Sequence, residues 1–375
     1  MGPERRRRPQ PGHRSEPRLL RPARRRAAEE TGLTCPPPTA RTRCEWQLTA
    51  RPVGEPTPAD FAFTTAAVPE PGPGQVVVRN TWLSVDPYMR GRMNEGPSYI
   101  PQFELGETMT GTAVGVVVAS GADGLPLGTT VSHFAGWREY ALLDAGALQL
   151  LDTAIAPAQA YLGVLGTTGL TAYAGVKDIA PIREGDVVFV SGAAGAVGSI
   201  AGQLAKKLGT AKVIGSAGGP EKARRLVTDY GFDEAIDYRA GDLPGRLAKA
   251  APTGIDVYID NVGGDHLQAA LGAMNLHGRV ALIGAISVYN ATELPAGPNN
   301  LPFAIGKRIN LRGMNVSDHL DLIPEYVTQA AGWLNDGSLR ADETVVDGIE
   351  NTLDAFLSMM RGGNTGKMLV RLAQD

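Results

Sequence analysis

The stretch "GDVVFVSGAAGAVGSIAGQLAKKLG", residues 185 to 209, decides the fold. Its apolar run at 187 to 190, bounded by glycines, reads as a strand buried on both faces of a parallel sheet. Glycines follow at 192, 195 and 198, and then a helix-forming run begins. A dinucleotide fingerprint is usually Gly-x-Gly-x-x-Gly, and here Ala193 stands in the slot of the first glycine. Gly195 and Gly198 take the second and third places, where the backbone must approach a pyrophosphate and the helix must pack closely on the strand. Gly192 and Ala193 share the remaining turn. The amides of Ala196, Val197, Gly198 and Ser199, at the start of the helix, are then the expected phosphate donors.

The choice of dinucleotide is a question of charge. NAD usually meets an Asp or Glu about 20 residues downstream, which accepts its ribose hydroxyl. The place reads "GSAGGPEK" here, and Ser216, Ala217, Gly218 and Gly219 carry no carboxylate. Lys222 stands in the first turn of the next helix, so the stretch predicts NADPH. Arg224 and Arg225 read as the solvated face of that helix.

Outward from this loop, strands and helices alternate. "AKVIGSA" precedes "PEKARRLVTDYG", "EAIDY" precedes "LPGRLAKAA", "IDVYIDNVGG" precedes "DHLQAALGAMN", and "GRVALIGA" follows. That rhythm predicts an α/β fold with a doubly wound parallel sheet. "AQAYLGVLGTTGLTAYAGVKDIA" (158–180) reads as helix leading into it. Upstream, "QVVVRNTWLSV", "GTAVGVVVAS", "TTVSHFAG" and "WREYALLD" are short strands parted by Gly and Pro turns, the pattern of a small twisted barrel. "GKMLVRLAQD" near the C-terminus reads as a strand returning to that barrel. The expected division is an extension at 1–40, a β-rich domain at 41–162 with 331–375, and a Rossmann domain at 163–330.

The chain has 375 residues, 43% of them hydrophobic, enough for about two domains. Residues 1 to 43 hold 12 arginines and four glutamates, a net +8 that leaves about −11 for the rest. This Arg/Pro-rich start lacks the apolar residues to repay its ordering, so disorder is expected there. The acidic remainder gives no reason to expect nucleic acid. No apolar run reaches the ~18 residues of a membrane span. Cys35 and Cys44 both lie near the N-terminal segment, which leaves the body without a disulfide framework and fits a reducing cytoplasm. Neither those cysteines nor His13, His133, His266, His277 and His319 show zinc-ligand spacing. No metal is expected.

Several stretches together resemble the zinc-independent medium-chain dehydrogenase/reductases, in the group of prostaglandin, leukotriene and curcumin reductases. They are "SVDPYMRGRM" (84–93), "LGETMTG" (105–111), "SGAAGAVGS" (191–199), "DNVGG" (260–264), "GAISVYN" (284–290) and "GGNTGKMLV" (362–370). The resemblance implies a GroES-like barrel domain beside the Rossmann domain. It implies that Lys222 and Tyr238 lie by the extra phosphate of NADPH, and that Asn364 closes over the cofactor. Asn261 and Tyr289 match positions beside the nicotinamide half, and Tyr88 matches a pocket tyrosine from the other domain. A homodimer is implied as well, with "RINLRGMNV" (308–316) as its pairing strand.

The expected reaction is hydride transfer from NADPH to the β-carbon of an α,β-unsaturated ketone or aldehyde. The protein would align the alkene and aim donors, with Tyr289 and Tyr88 as candidates, at the developing enolate oxygen. The rival readings are an NADPH quinone oxidoreductase and a non-catalytic NADPH-binding protein.

Overall fold

Branched and aromatic runs broken by Gly and Pro turns make the first half almost wholly β. In the computed structural model, which describes Gly2 and residues 42 to 293 and 295 to 372, these runs become β1 Thr42–Leu48, β2 Phe61–Ala67, β3 Gln75–Ser84, β4 Ala113–Ser120, β5 Thr130–His133, β6 Tyr140–Asp144 and β7 Gln149–Leu150. One short helix, α1 Tyr88–Arg92, interrupts them. The extension at 1–40 expected to be disordered lies outside the described residues, Gly2 aside. Cys44 is buried in β1 and disulfide-bonded, its partner also lying outside them.

The second half alternates as its periodicity requires. Its elements are α2 Thr167–Ala174, β8 Val187–Val190, α3 Ala196–Lys207, β9 Lys212–Ala217, α4 Pro220–Tyr230, β10 Glu234–Asp237, α5 Leu243–Ala250, β11 Ile255–Asp260, α6 Gly264–Ala273, β12 Met274–Leu282, α7 Pro302–Lys307 and β13 Asn310–Gly313. Then come α8 Ile323–Asn335, β14 Glu343–Asp347, α9 Thr352–Met360 and β15 Lys367–Arg371.

Strands β8 to β13 form one parallel sheet in the order β10-β9-β8-β11-β12-β13. Both faces are covered. Val188 and Val190 point into one apolar layer, with Ile200 and Leu204 of α3 and Tyr326 of α8. Phe189 points into the other, with Leu247 of α5 and Ala270 of α6. This two-sided burial is why the strands read as unbroken hydrophobic runs.

A second large sheet runs β14-β15-β3-β4-β5-β7, with β6 also on β3, and β1 and β2 pair apart from it as an antiparallel two-stranded sheet. The returning strand β15 is placed as expected, antiparallel to β3 and pairing Leu369 with Ser84. Its core gathers Trp46, Met89, Met93, Trp137, Phe356 and Met368.

The helix expected over 158–180 is broken. A 3-10 turn spans Ala158–Leu162, α2 begins only after Gly166, and a π turn closes it at Gly175–Ile179. The chain doubles back so tightly there that a Cβ on Gly166 would fall 2.1 Å from Tyr161 O, and one on Gly169 1.9 Å from Val164 O. A continuous helix has no room for such an approach.

Candidate functional site

In a doubly wound sheet the crevice opens beyond the carboxyl ends of the strands, where the strand order reverses. That point lies between β8 and β11. The loop after β8 carries the three glycines, and the turn after β11 carries Asn261.

The loop is shaped by its own backbone. Gly192 has φ +57°, a left-handed conformation that favours glycine. Its carbonyl accepts from Gly195 N–H at 2.9 Å, and Ala193 N–H donates to Ser216 O at 2.8 Å. Gly198 packs against this turn so closely that a Cβ there would lie 2.5 Å from Gly192 O. Gly195 meets only that carbonyl, at 3.1 Å, and otherwise borders open space. Asn261 braces the turn from β11, its side-chain amide donating to Ser191 O at 2.8 Å. Between them Asp260, 1% exposed, accepts from Ser191 Oγ, Tyr258 Oη and the amides of Val262 and Gly263.

A single cleft of about 1620 Å³ runs from here to the β-rich half. It gathers the site residues singled out in the sequence except Ser199, which is 1% exposed and whose amide is spent inside the helix on Gly195 O at 3.0 Å. Gly195, Ala196, Val197 and Gly198 line its floor, and Lys222 and Tyr238 line one end. Asn261 and Tyr289 lie on the Rossmann side, Tyr88 and Asn364 on the side of the other sheet.

At the Lys222 end the ammonium donates to Gly362 O at 2.7 Å and to Asn364 O. Burial, and then the neighbouring Arg239, push the Lys222 pKa down. Arg239 escaped the sequence reading although it follows Tyr238 directly. Its Nε and the Tyr238 hydroxyl both crowd Gly218, standing 3.0 and 2.8 Å from where a Cβ would be. Ser216 to Gly219 do lack a carboxylate, but Asp237 from β10 supplies one nearby, accepting from Gly219 N–H at 2.8 Å and from Arg239 N–H at 3.0 Å. Two cationic side chains thus stand at this end, Lys222 held on two loop carbonyls and Arg239 beside Gly218. His266, 6% exposed, meets Tyr238 edge-on at 5.1 Å, and its Nε2 has no partner.

The 362–366 loop reaches from β15 to the glycine turn. Gly366 N–H donates to Ala194 O at 2.8 Å, and Asn364 Nδ2 closes its own turn on Gly366 O at 2.7 Å. The next residue, Lys367, is 5% exposed, and its ammonium donates to Val85 O at 3.1 Å and Asp86 Oδ1 at 2.7 Å. The cofactor loop and the approach to Tyr88 are therefore tied through two consecutive residues.

The two tyrosines differ. Tyr289 Oη accepts from Ala285 N–H at 3.2 Å and keeps its own proton to donate. The Tyr88 hydroxyl is buried without a partner. Burial, with Asp86 close by, pushes the Tyr88 pKa far above its usual value, so the phenol stays protonated. Tyr99, 74% exposed, stands at the rim. Among the described residues no group of three His, Cys, Asp or Glu side chains is placed to hold a metal ion, and no helix is long and apolar enough to cross a membrane.

Residues 44–151 match the family described as N-terminal domain of oxidoreductase, and residues 196–335 the family described as zinc-binding dehydrogenase. The chain is 39% identical over 335 residues to an NADPH-dependent curcumin reductase of Escherichia coli, covering 88% of this chain and 97% of that protein. A 2-alkenal reductase (NADP(+)-dependent) of Nicotiana tabacum is 41% identical, over 82% of this chain and 90% of its own length. The solved structure of CurA from Vibrio vulnificus in complex with NADPH superposes with a TM-score of 0.84 at 39% identity, over 88% of this chain and all of that one. With its strand order, its glycine turn and its second, β-rich sheet, the chain belongs to the medium-chain dehydrogenase/reductases, in the group that holds the curcumin, alkenal and prostaglandin reductases.

Proposed function

We propose that the protein reduces the carbon–carbon double bond of α,β-unsaturated ketones and aldehydes with NADPH, without zinc. The observation that carries this reading is the buried, unpartnered Tyr88 hydroxyl in the same cleft as the glycine turn. A donor that cannot lose its proton near neutral pH, held dry at the substrate end, suits a carbonyl oxygen that gathers charge. The names of the relatives, curcumin reductase and 2-alkenal reductase, support the same class.

The residues present fit the cofactor. Gly195 leaves the floor open where a Cβ would protrude, and the α3 amides face the cleft. Lys222, Arg239 and the Tyr238 hydroxyl together suit a phosphate monoester. Asn261 would border the nicotinamide half, and Asn364 would lie over the cofactor. Bound NADPH supplies the hydride that the β-carbon receives. Tyr88 and Tyr289 each offer an O–H to the oxygen that takes up the displaced π pair, and water returns a proton to the α-carbon.

The test is NADPH oxidation with a panel of enones, enals and quinones. We expect enones and enals to lead, and Tyr88→Phe and Tyr289→Phe to lower turnover while NADPH affinity holds. Full turnover in Tyr88→Phe would remove the reading's main support, and a preference for quinones would replace it.

The domain limits proposed are 41–162 with 331–375, and 163–330. A homodimer through the edge strand β13 accords with its one open side and with exposed Leu301, Phe303 and Ile305 just before it. Ile305→Asp should then yield monomers. A cytoplasmic site of action is also proposed. Recovery of the tagged full-length chain in the cytosolic fraction would support it, and recovery in another compartment would count against it.

A further inference from the structure

Tyr88 and Tyr289 approach the cleft from different domains, so a device must set their spacing. Arg90, on the same short helix as Tyr88, is 2% exposed and spends its guanidinium on four neutral oxygens. Nη2 donates to Gly54 O at 2.7 Å and Pro52 O at 3.2 Å, and Nη1 donates to Asn94 Oδ1. Those three partners belong to the β-rich half and hold the planar fork rigid. The fourth bond crosses the seam: Nε donates to Asn290 Oδ1 at 3.1 Å. Asn290 directly follows Tyr289. The seam is closed beneath this bond too, because a Cβ on Gly54 would meet Thr292 Cγ2 at 3.5 Å and Asn290 O at 3.8 Å.

We infer that the Arg90–Asn290 hydrogen bond is a clasp that positions the Tyr289 loop against the Tyr88 helix, and so governs the rate of reduction rather than cofactor binding. The inference rests on the enone reading above. Burial lowers the Arg90 pKa, yet a guanidinium stays charged, so its bond to Asn290 is charge-assisted. Removing the acceptor strands a buried N–H and frees the loop to drift. Displacement of aligned groups by about 1 Å can cost on the order of 100-fold in rate. Both are positioning residues, since neither lines the cleft.

Three variants test it in the full-length chain with NADPH bound. Asn290 lies half-buried on a surface loop, so all three should fold. Asn290→Leu and Asn290→Ala lose the acceptor, and kcat for a simple enone should fall about 10- to 100-fold. Asn290→Asp keeps an oxygen opposite Arg90 and should stay within about threefold of the parent. The dissociation constant for NADPH, read by fluorescence titration, should hold in all three, while amide exchange at 286–292 quickens only in the first two. The clasp is overturned if Asn290→Leu turns over like the parent, if Asn290→Asp is as slow as Asn290→Leu, or if NADPH affinity falls in step with kcat. A parent protein inert toward every enone would instead sink the enone reading, and the exchange measurement would still judge the clasp.

Discussion

Replacing Gly198 and Gly195 separately with alanine should split two roles that the fingerprint usually lumps together. At 198 the new Cβ would stand 2.5 Å from Gly192 O and 2.8 Å from Ala193 Cα, both main-chain atoms that no rotamer change can move aside. The turn must shift as a body. Overpacking of this kind costs about 1–3 kcal/mol, and the displaced amides should weaken NADPH binding as well. At 195 the Cβ meets only Gly192 O, at 3.1 Å, and its remaining surroundings are cleft. Stability should change by less than about 0.5 kcal/mol, whereas a methyl group in the path of a pyrophosphate should reduce NADPH affinity tenfold or more, about 1.4 kcal/mol. Denaturant unfolding and fluorescence titration measure the two quantities independently. Gly198→Ala with parental stability, or Gly195→Ala with parental NADPH affinity, would refute the argument from the turn's geometry.

Lys222→Ala and Arg239→Ala should each weaken NADPH by the worth of a charge-assisted hydrogen bond, about 1.5–3 kcal/mol, and leave NADH nearly unchanged; equal losses for both coenzymes would remove these side chains from the phosphate. His133 should make the fold acid-sensitive. It is 6% exposed, its Nε2 faces Asn80 Oδ1 at 2.8 Å, and Nδ1 accepts from Ala135 N–H at 3.1 Å, so the ring sits neutral. Burial and then Arg138 pull its pKa from 6.5 to about 4. The unfolded chain therefore takes the proton first, and stability should be whole above pH 6.5 and fall by up to about 3 kcal/mol as pH drops to 4. Unfolding curves across that window check it, and a slope unchanged in His133→Asn would assign the loss elsewhere.

The parallel sheet was legible because each strand is buried on two faces and each turn announces itself with glycine. Val187 to Val190 and the glycines after them could hardly be read otherwise. The residues of the cleft were legible as short motifs, and the structure brings all but Ser199, whose amide bonds Gly195 O, to one cavity. What escaped is long-range. Nothing local tells that Arg90 meets Asn290, 200 positions away, or that Lys367 reaches Asp86. Arg239 was missed for another reason: only the close approach at Gly218 and Gly362 shows that its exposed side chain lies at the Lys222 end. The break at 163–166 was hidden because glycines lower helix propensity without saying which backbone comes near.

The pairing of Leu369 with Ser84 also bears on how the chain is made. During synthesis the parallel sheet can complete itself while β3 still waits for β15, leaving part of its hydrogen-bonding edge bare as the nascent polypeptide grows. Bare edges invite pairing with strangers, and such distant partners join slowly. Nascent chains stalled before β15 emerges should therefore lean on chaperones far more than finished ones.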